Sequence, residues 1–262
     1  MPQSTVPGEE SWPTQPFPTK PAAFAPQGIA LDDLINFTPE LRQLAVNEVS
    51  RYQLGPLYLP PSLQGAIARP GVIGGAGWGG VAIDPETGWL YVKASNEPAL
   101  MAIMKRDAKS DTVDAPYTLD PSRRGLSVRP QAGGSLPIIK PPYGTLTAID
   151  LNTGDTKWTI PLGDSPAVRS HPALAGVKLP PKLGVVGSPG GMVTKGGLVF
   201  LTGGGSVLYA IDSRTGEYKW EHDLGQVAYS NPMTFRSRAG KQYIVIATGA
   251  GTTSKLVAFA LP

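Results

Sequence analysis

The sequence predicts an all-β fold of short antiparallel strands, repeated and stacked, with one short helical insertion. Three observations carry this. The pattern Ala-Ile-Asp-x-x-Thr-Gly-x-x-Lys-Trp occurs at 148–158 and again at 210–220, and such a repeat marks a stacked architecture. From residue 72 onward, short β-type runs follow one another between glycines, with no helix-forming segment among them. The 262 residues include 32 glycines and 28 prolines without a collagen-like period, which calls for many turns.

Composition narrows the class further. Hydrophobic residues make up 41%, enough for a core. Net charge is +3, and the densest basic stretch, 105–111, is interleaved with acids. That reads as a solvated loop and gives no footing for nucleic acid as a partner. The absence of cysteine excludes a disulfide framework, a Cys-ligated metal and a thiol nucleophile. No apolar run approaches the ~18–20 residues of a membrane span. Residues 1–12 have neither a basic nor an apolar region of the kind a signal peptide needs.

The elements fall in order. Residues 1–28 carry seven prolines and should be extended, held to a surface by Trp12, Phe17 and Phe24 or else loose. Residues 29–71 form a helix-containing insertion. Thr38 is a good N-cap, Pro39 suits the first helical position and Glu40 favours the positive end of the dipole. Leu41, Leu44, Ala45, Val49 and Tyr52 share a face, Gly55 and Pro56 end the helix, and 31–35 is a short turn before it. Residues 72–262 are an antiparallel all-β region, a sandwich, barrel or propeller, with strands expected at 80–85, 89–94, 99–105, 144–151, 157–162, 190–196, 198–203, 206–213, 218–224, 231–237, 241–248 and 256–261. Two long loops, 107–142 and 164–186, interrupt the run.

Each copy of the repeat describes a hairpin. Asp150 and Asp212 can accept N–H bonds within the turn, and Gly154 and Gly216 can supply positive φ. Trp158 and Trp220 then stand at equivalent places, ready to dock flat between neighbouring sheets. An imperfect third copy, 82–92, keeps Ala82, Ile83, Asp84, Thr87 and Gly88, but Trp89 follows the glycine directly. It shares the turn and not the docking register. Sheets of four strands repeated radially make a propeller.

These residues resemble a family. The run 74–98 around Trp78, the tandem motif, 196–204 and 231–251 look like the C-terminal half of pyrroloquinoline quinone (PQQ)-dependent dehydrogenases. The segments 11–21 and 37–41 are similar to the glucose/quinate dehydrogenase-like branch. The resemblance implies part of an eight-bladed quinoprotein propeller braced by tryptophan-docking motifs. It implies PQQ and Ca²⁺ near the axis, an alcohol, sugar or polyol substrate, a quinone or cytochrome acceptor, and a periplasmic location. It also implies that the catalytic base, the basic residue over the quinone and most calcium ligands precede this chain, in a missing N-terminal propeller half. The fragment alone is then expected to be inactive.

Gly77 and Trp78 are the candidate cofactor-binding residues by that resemblance, Gly77 standing where the family often has asparagine. Trp78 could equally pack in a core. No catalytic or metal-ligating residue is named. His171 and His222 are isolated and read as structural or surface residues. The glycine clusters at 74–80 and 202–206 lack the strand–loop–helix context of a phosphate site. At 248–252 the family's glycine-glycine-histidine run is replaced by Thr248-Gly249-Ala250-Gly251-Thr252, which removes the usual indication of sugar specificity. A non-catalytic propeller scaffold with the same repeats is the alternative reading.

Overall fold

Three tight turns of one design frame the architecture. In the repeat at 148–158, the Asp150 carboxylate accepts the Asn152 N–H at 2.9 Å while Gly154 donates back to the Asp150 carbonyl at 2.7 Å. In the repeat at 210–220, Asp212 accepts from Arg214 and Thr215 at 3.0 and 2.9 Å, and Gly216 closes onto the Asp212 carbonyl at 2.9 Å. Gly154 and Gly216 sit at φ of 74° and 75°, a conformation that a Cβ disfavours. The third turn follows the same chemistry: Asp84 accepts the Glu86 N–H at 3.0 Å and the Thr87 hydroxyl at 2.8 Å. The turn reading of the sequence therefore holds at all three places.

The computed structural model describes residues 1–72, 74–106, 115–123, 125–187 and 189–261. The stretch 105–111 lies, beyond residue 106, outside them. Strands Ala82–Asp84, Trp89–Ser95, Gly144–Asp150 and Asp155–Pro161 form a four-stranded antiparallel sheet in that spatial order. Met192–Val193, Leu198–Leu201, Val207–Asp212 and Tyr218–Asp223 form a second. Met233–Arg236, Gln242–Thr248 and Lys255–Phe259 make a third, of three strands. The full copies of the repeat join the third and fourth strands of the first two sheets, whereas 82–92 joins the first and second strands. That difference in place is why Trp89 has another register.

Apolar side chains between the sheets stack them. Tyr91, Leu146, Ala148 and Leu162 of the first sheet and its exit meet Val199, Leu201, Tyr209 and Ile211 of the second. Leu208, Ala228 and Ile246 continue the stack into the third, flanked by Phe200, Val257 and Phe259. Cross-strand partners share a face of a sheet. Met233, Val245 and Ala258 therefore line up on the far face of the third sheet, beside Phe235 with Tyr243 and Ala247 with Leu256. Among the described residues nothing covers that face: Leu256 is 78% exposed and Met233 54%.

A separate core holds the insertion. A 3-10 turn at Leu31–Asp33 precedes the helix Pro39–Val49, whose N-cap Thr38 hydroxyl oxygen accepts the Leu41 N–H at 3.2 Å. The helix stops six residues before Gly55 because Gln53 leaves it to pair with the chain at Gly65–Ile67. Leu41, Ala45 and Val49 face inward, while Leu44, expected with them, is exposed. Their neighbours come from the two long loops: Val128, Leu136, Ile138 and Ile139 from one, Val168, Leu174 and Leu183 from the other. Those loops contain a short hairpin, Ser127–Val128 with Leu136–Pro137, and a helical turn, Pro166–Arg169. Residues 1–26 have no regular structure; Trp12 is exposed, and Phe17 packs edge-on against Tyr58 at 5.5 Å. No described helix is long and apolar enough to cross a membrane.

Candidate cofactor-facing site

Both full repeats bulge at the same lysine. Thr156 pairs with Ile149 and Trp158 with Ala148, so Lys157 is the extra residue; Tyr218 pairs with Ile211 and Trp220 with Ala210, so Lys219 is. A bulge re-aims the next side chain, here a tryptophan. Trp158 lies over the turn of the second sheet, where a Cβ on Gly216 would stand 3.0 Å from the indole. Its Nε1–H donates to the Ser213 carbonyl at 3.1 Å. Trp220 ends differently. It is 40% exposed, stacks on His222 at 5.7 Å and meets the Phe259 edge at 5.2 Å. It lines a groove of about 1070 Å³ with Phe200, Ile244 and Phe259.

Electrostatics at these turns is local. Burial acts upward on the Asp212 carboxyl, but the N–H bonds from Thr215 and Arg214 carry it below the usual range. Asp150 is lowered in the same way: burial acts upward, and the Asn152 N–H and Lys157 outweigh it. These carboxylates hold turns. They are not poised as acids or bases. Among the described residues no group of three His, Cys, Asp or Glu side chains is placed to hold a metal ion.

Gly77 and Trp78 lie where the first strands of the sheets begin. Gly80 N–H closes a turn onto the Gly77 carbonyl at 3.1 Å, and the chain then enters Ala82–Asp84. The indole of Trp78 is fully exposed, so it is not a core residue. Beside it the main chains of Gly79 and Gly190 touch: a Cβ on Gly190 would fall 2.0 Å from the Gly79 carbonyl oxygen. The first strands of the first and second sheets adjoin just beyond this point. A flat, uncovered indole on a glycine turn suits a planar aromatic ligand.

Two residues here escaped the sequence reading. Asn231 bridges the Gly79 carbonyl (2.7 Å) and the Gly190 N–H (2.8 Å). Lys93 is 2% exposed in the first sheet, with its amine at 3.0 Å from the Ala94 carbonyl, 2.9 Å from Val185 and 2.6 Å from Gly187. Burial pushes that amine down to about 7. The signals were slight, an asparagine before Pro232 and one lysine inside an apolar strand. The histidines are structural: His171 is buried with Nδ1 accepting the Ala173 N–H at 3.2 Å, and His222 stacks on Trp220.

Comparison with known proteins adds the family. The model for the glucose/ethanol/alcohol dehydrogenase β-propeller domain that carries PQQ matches residues 1–244. The chain is 27% identical over 95% of its length to the quinate/shikimate dehydrogenase (quinone) of Acinetobacter baylyi, covering 32% of that protein. It is 29% identical over 98% of its length to the glycerol dehydrogenase large subunit of Gluconobacter oxydans, covering 38%. It is 28% identical over its whole length to the quinoprotein glucose dehydrogenase of Escherichia coli, covering 35%. The chain spans about a third of the length of these curated relatives.

Proposed function

Since the chain belongs to the PQQ-dependent glucose/ethanol/alcohol dehydrogenase family, we propose that it is the C-terminal section of such a dehydrogenase and supplies one wall of its PQQ site. The observation that supports this is Trp78, uncovered on a glycine turn at the junction of the sheets. Its indole plane would stack on the cofactor, and the Gly77–Gly80 backbone would approach the ring edge unhindered by side chains. When bound, PQQ supplies the two-electron oxidation of a CH–OH carbon. This chain's residues bind and orient it and shield one face from water.

Trp78 and its glycine turn suit PQQ; for Ca²⁺, no group of three His, Cys, Asp or Glu side chains among the described residues is placed to hold the ion. We place the metal ligands and the catalytic base in the preceding propeller half, which closes an eight-bladed ring with the sheets described here. Trp158 on Gly216 is the pattern by which blades dock in that ring. The substrate class is an alcohol, sugar or polyol, with quinate, glycerol and glucose as the first candidates from the relatives' names. Electrons pass to a quinone or cytochrome in the periplasm.

The test is reconstitution. Incubated with PQQ, Ca²⁺, each candidate substrate and an acceptor dye, the 262-residue chain alone should not turn over. Co-expressed with the preceding segment of a relative, it should. Turnover by the chain alone at the rate of a full-length relative would overturn the division of labour. Failure of the assembled pair, with both parts folded, would overturn the enzymatic reading.

A further inference from the structure

Three main-chain carbonyls converge on one buried point between the first two sheets. Those of Ala94, Val185 and Gly187 stand 3.0, 2.9 and 2.6 Å from the Lys93 amine, and that lysine is 2% exposed. Among the described residues no other group donates to the Val185 or Gly187 carbonyl. The space is cleared by glycines. A Cβ on Gly144 would fall 2.5 Å from the Lys93 Nζ, and one on Gly203 3.1 Å from its Cε. Three carbonyl acceptors match the three N–H donors of an ammonium, whereas a neutral amine has only two. Burial alone lowers the amine's hold on its proton, and no carboxylate among the described residues offsets it. The carbonyl dipoles are what the charge has.

The point is also a junction. Tyr143 N–H donates to the Leu183 carbonyl, and Val185 N–H to the Leu162 carbonyl, both at 2.8 Å, which lays the segment 183–187 on the first sheet. A Cβ on Gly187 would touch the Gly203 carbonyl oxygen, in the second sheet's own turn, at 2.9 Å. Leu183 belongs to the core built with the helix. We infer that the Ala94, Val185 and Gly187 carbonyls form a socket for a monovalent cation of ammonium size, filled in this chain by the ammonium of Lys93. The lysine is then a tethered ion that pins the second long loop to the first sheet where it crosses to the second. Ion binding makes a demand that apolar filling does not: with the tether cut, a free cation of the same shape takes the socket. The inference is independent of where PQQ binds.

The experiment is cation rescue in the 262-residue chain at about pH 6, below the value of about 7 near which Lys93 gives up its proton. Lys93→Ala removes the outline of n-propylammonium. It should melt about 5 °C or more below the wild type, because buried carbonyls lose their donor. n-Propylammonium chloride at about 0.1 M should return about half of that loss, and the recovery should saturate. Tetramethylammonium chloride, a cation without N–H donors, should return none of it at the same concentration, and the wild type should respond to neither. Lys93→Met fills the volume without charge and should stay low in both salts. A Lys93→Ala or Lys93→Met chain that melts with the wild type overturns the socket. So does n-propylammonium that rescues Lys93→Ala no better than tetramethylammonium. Where Lys93→Ala does not fold, the ¹⁵N-labelled wild type decides. At the same pH its Lys93 nitrogen should carry three protons in slow exchange with water. A two-proton amine, or exchange as fast as that of exposed lysines, refutes the inference.

Discussion

Trp158 and Trp220 hold the same place in the same repeat, after the same bulge, and are unequal in what they touch. Trp158→Ala removes an indole wedged on Gly216 together with its bond to Ser213, and should cost about 2–4 kcal/mol in urea unfolding. Trp220→Ala removes a half-open ring and should cost about 1 kcal/mol or less in this chain; equal losses would mean that the two environments are alike. Lys93 makes a pH prediction. In the fold its amine sheds its proton near pH 7, against an ordinary value of 10.5. Between those values unfolding takes up a proton, so stability rises with pH, by up to about 1.4 kcal/mol per unit. Below pH 7 both states are protonated and the slope vanishes. Stability measured from pH 6 to 10 should show that rise, and Lys93→Met should abolish it. The sequence displayed both tryptophans plainly, because a repeated motif announces itself. It hid Asn231 and Lys93, whose partners are distant backbone atoms that no local pattern encodes.

At the scale of the element, turn chemistry was the most legible feature. Asp accepting N–H bonds and Gly closing the turn are choices settled within a few residues. The bulges were not legible, since Lys157 and Lys219 look like ordinary strand residues until the partner strand is in register. The insertion helix shows the same divide. Thr38 and Pro39 marked its start by local capping, while its end was set by pairing of Gln53 with a segment a dozen residues on. The docking contact can be isolated by comparing two glycines with similar dihedrals. Gly216 and Gly225 sit at φ of 75° and 71°, but only a Cβ at Gly216 meets an indole. Gly216→Ala should therefore be less stable than Gly225→Ala by about 1–2 kcal/mol, the shared φ strain cancelling. Equal melts would show that Trp158 yields without cost.

For the whole molecule, the two four-stranded sheets and the three-stranded one form a series. Among the described residues Lys255–Phe259 has a hydrogen-bonded neighbour on one side only, and the far face of its sheet presents Met233, Phe235 and Leu256. Uncovered apolar faces and bare strand edges drive association. We expect the isolated chain to self-associate in light scattering after size exclusion, and to become monodisperse when co-expressed with the preceding segment of a relative. A cooperatively melting 27.5 kDa monomer would show that the face is tolerated in water. All-β class and stacking were readable from the repeat. That the two long loops build a core with the helix was not, because their apolar residues are scattered among prolines and turns.

That shared core ties the evolution of three chain segments together. Leu34 bridges to Ile139, both fully buried, and the Ile35 N–H donates to the Ile138 carbonyl at 2.9 Å. Neither loop can lengthen, shorten or change volume there without an answering change near the helix, whereas the sheet hairpins can drift on their own. Substitutions in these segments should therefore arrive in compensated pairs. A double-mutant cycle of Leu34→Ala with Ile139→Val should return a coupling of about 0.5–2 kcal/mol, and the same cycle pairing Leu34→Ala with a change at Val257 should return almost none.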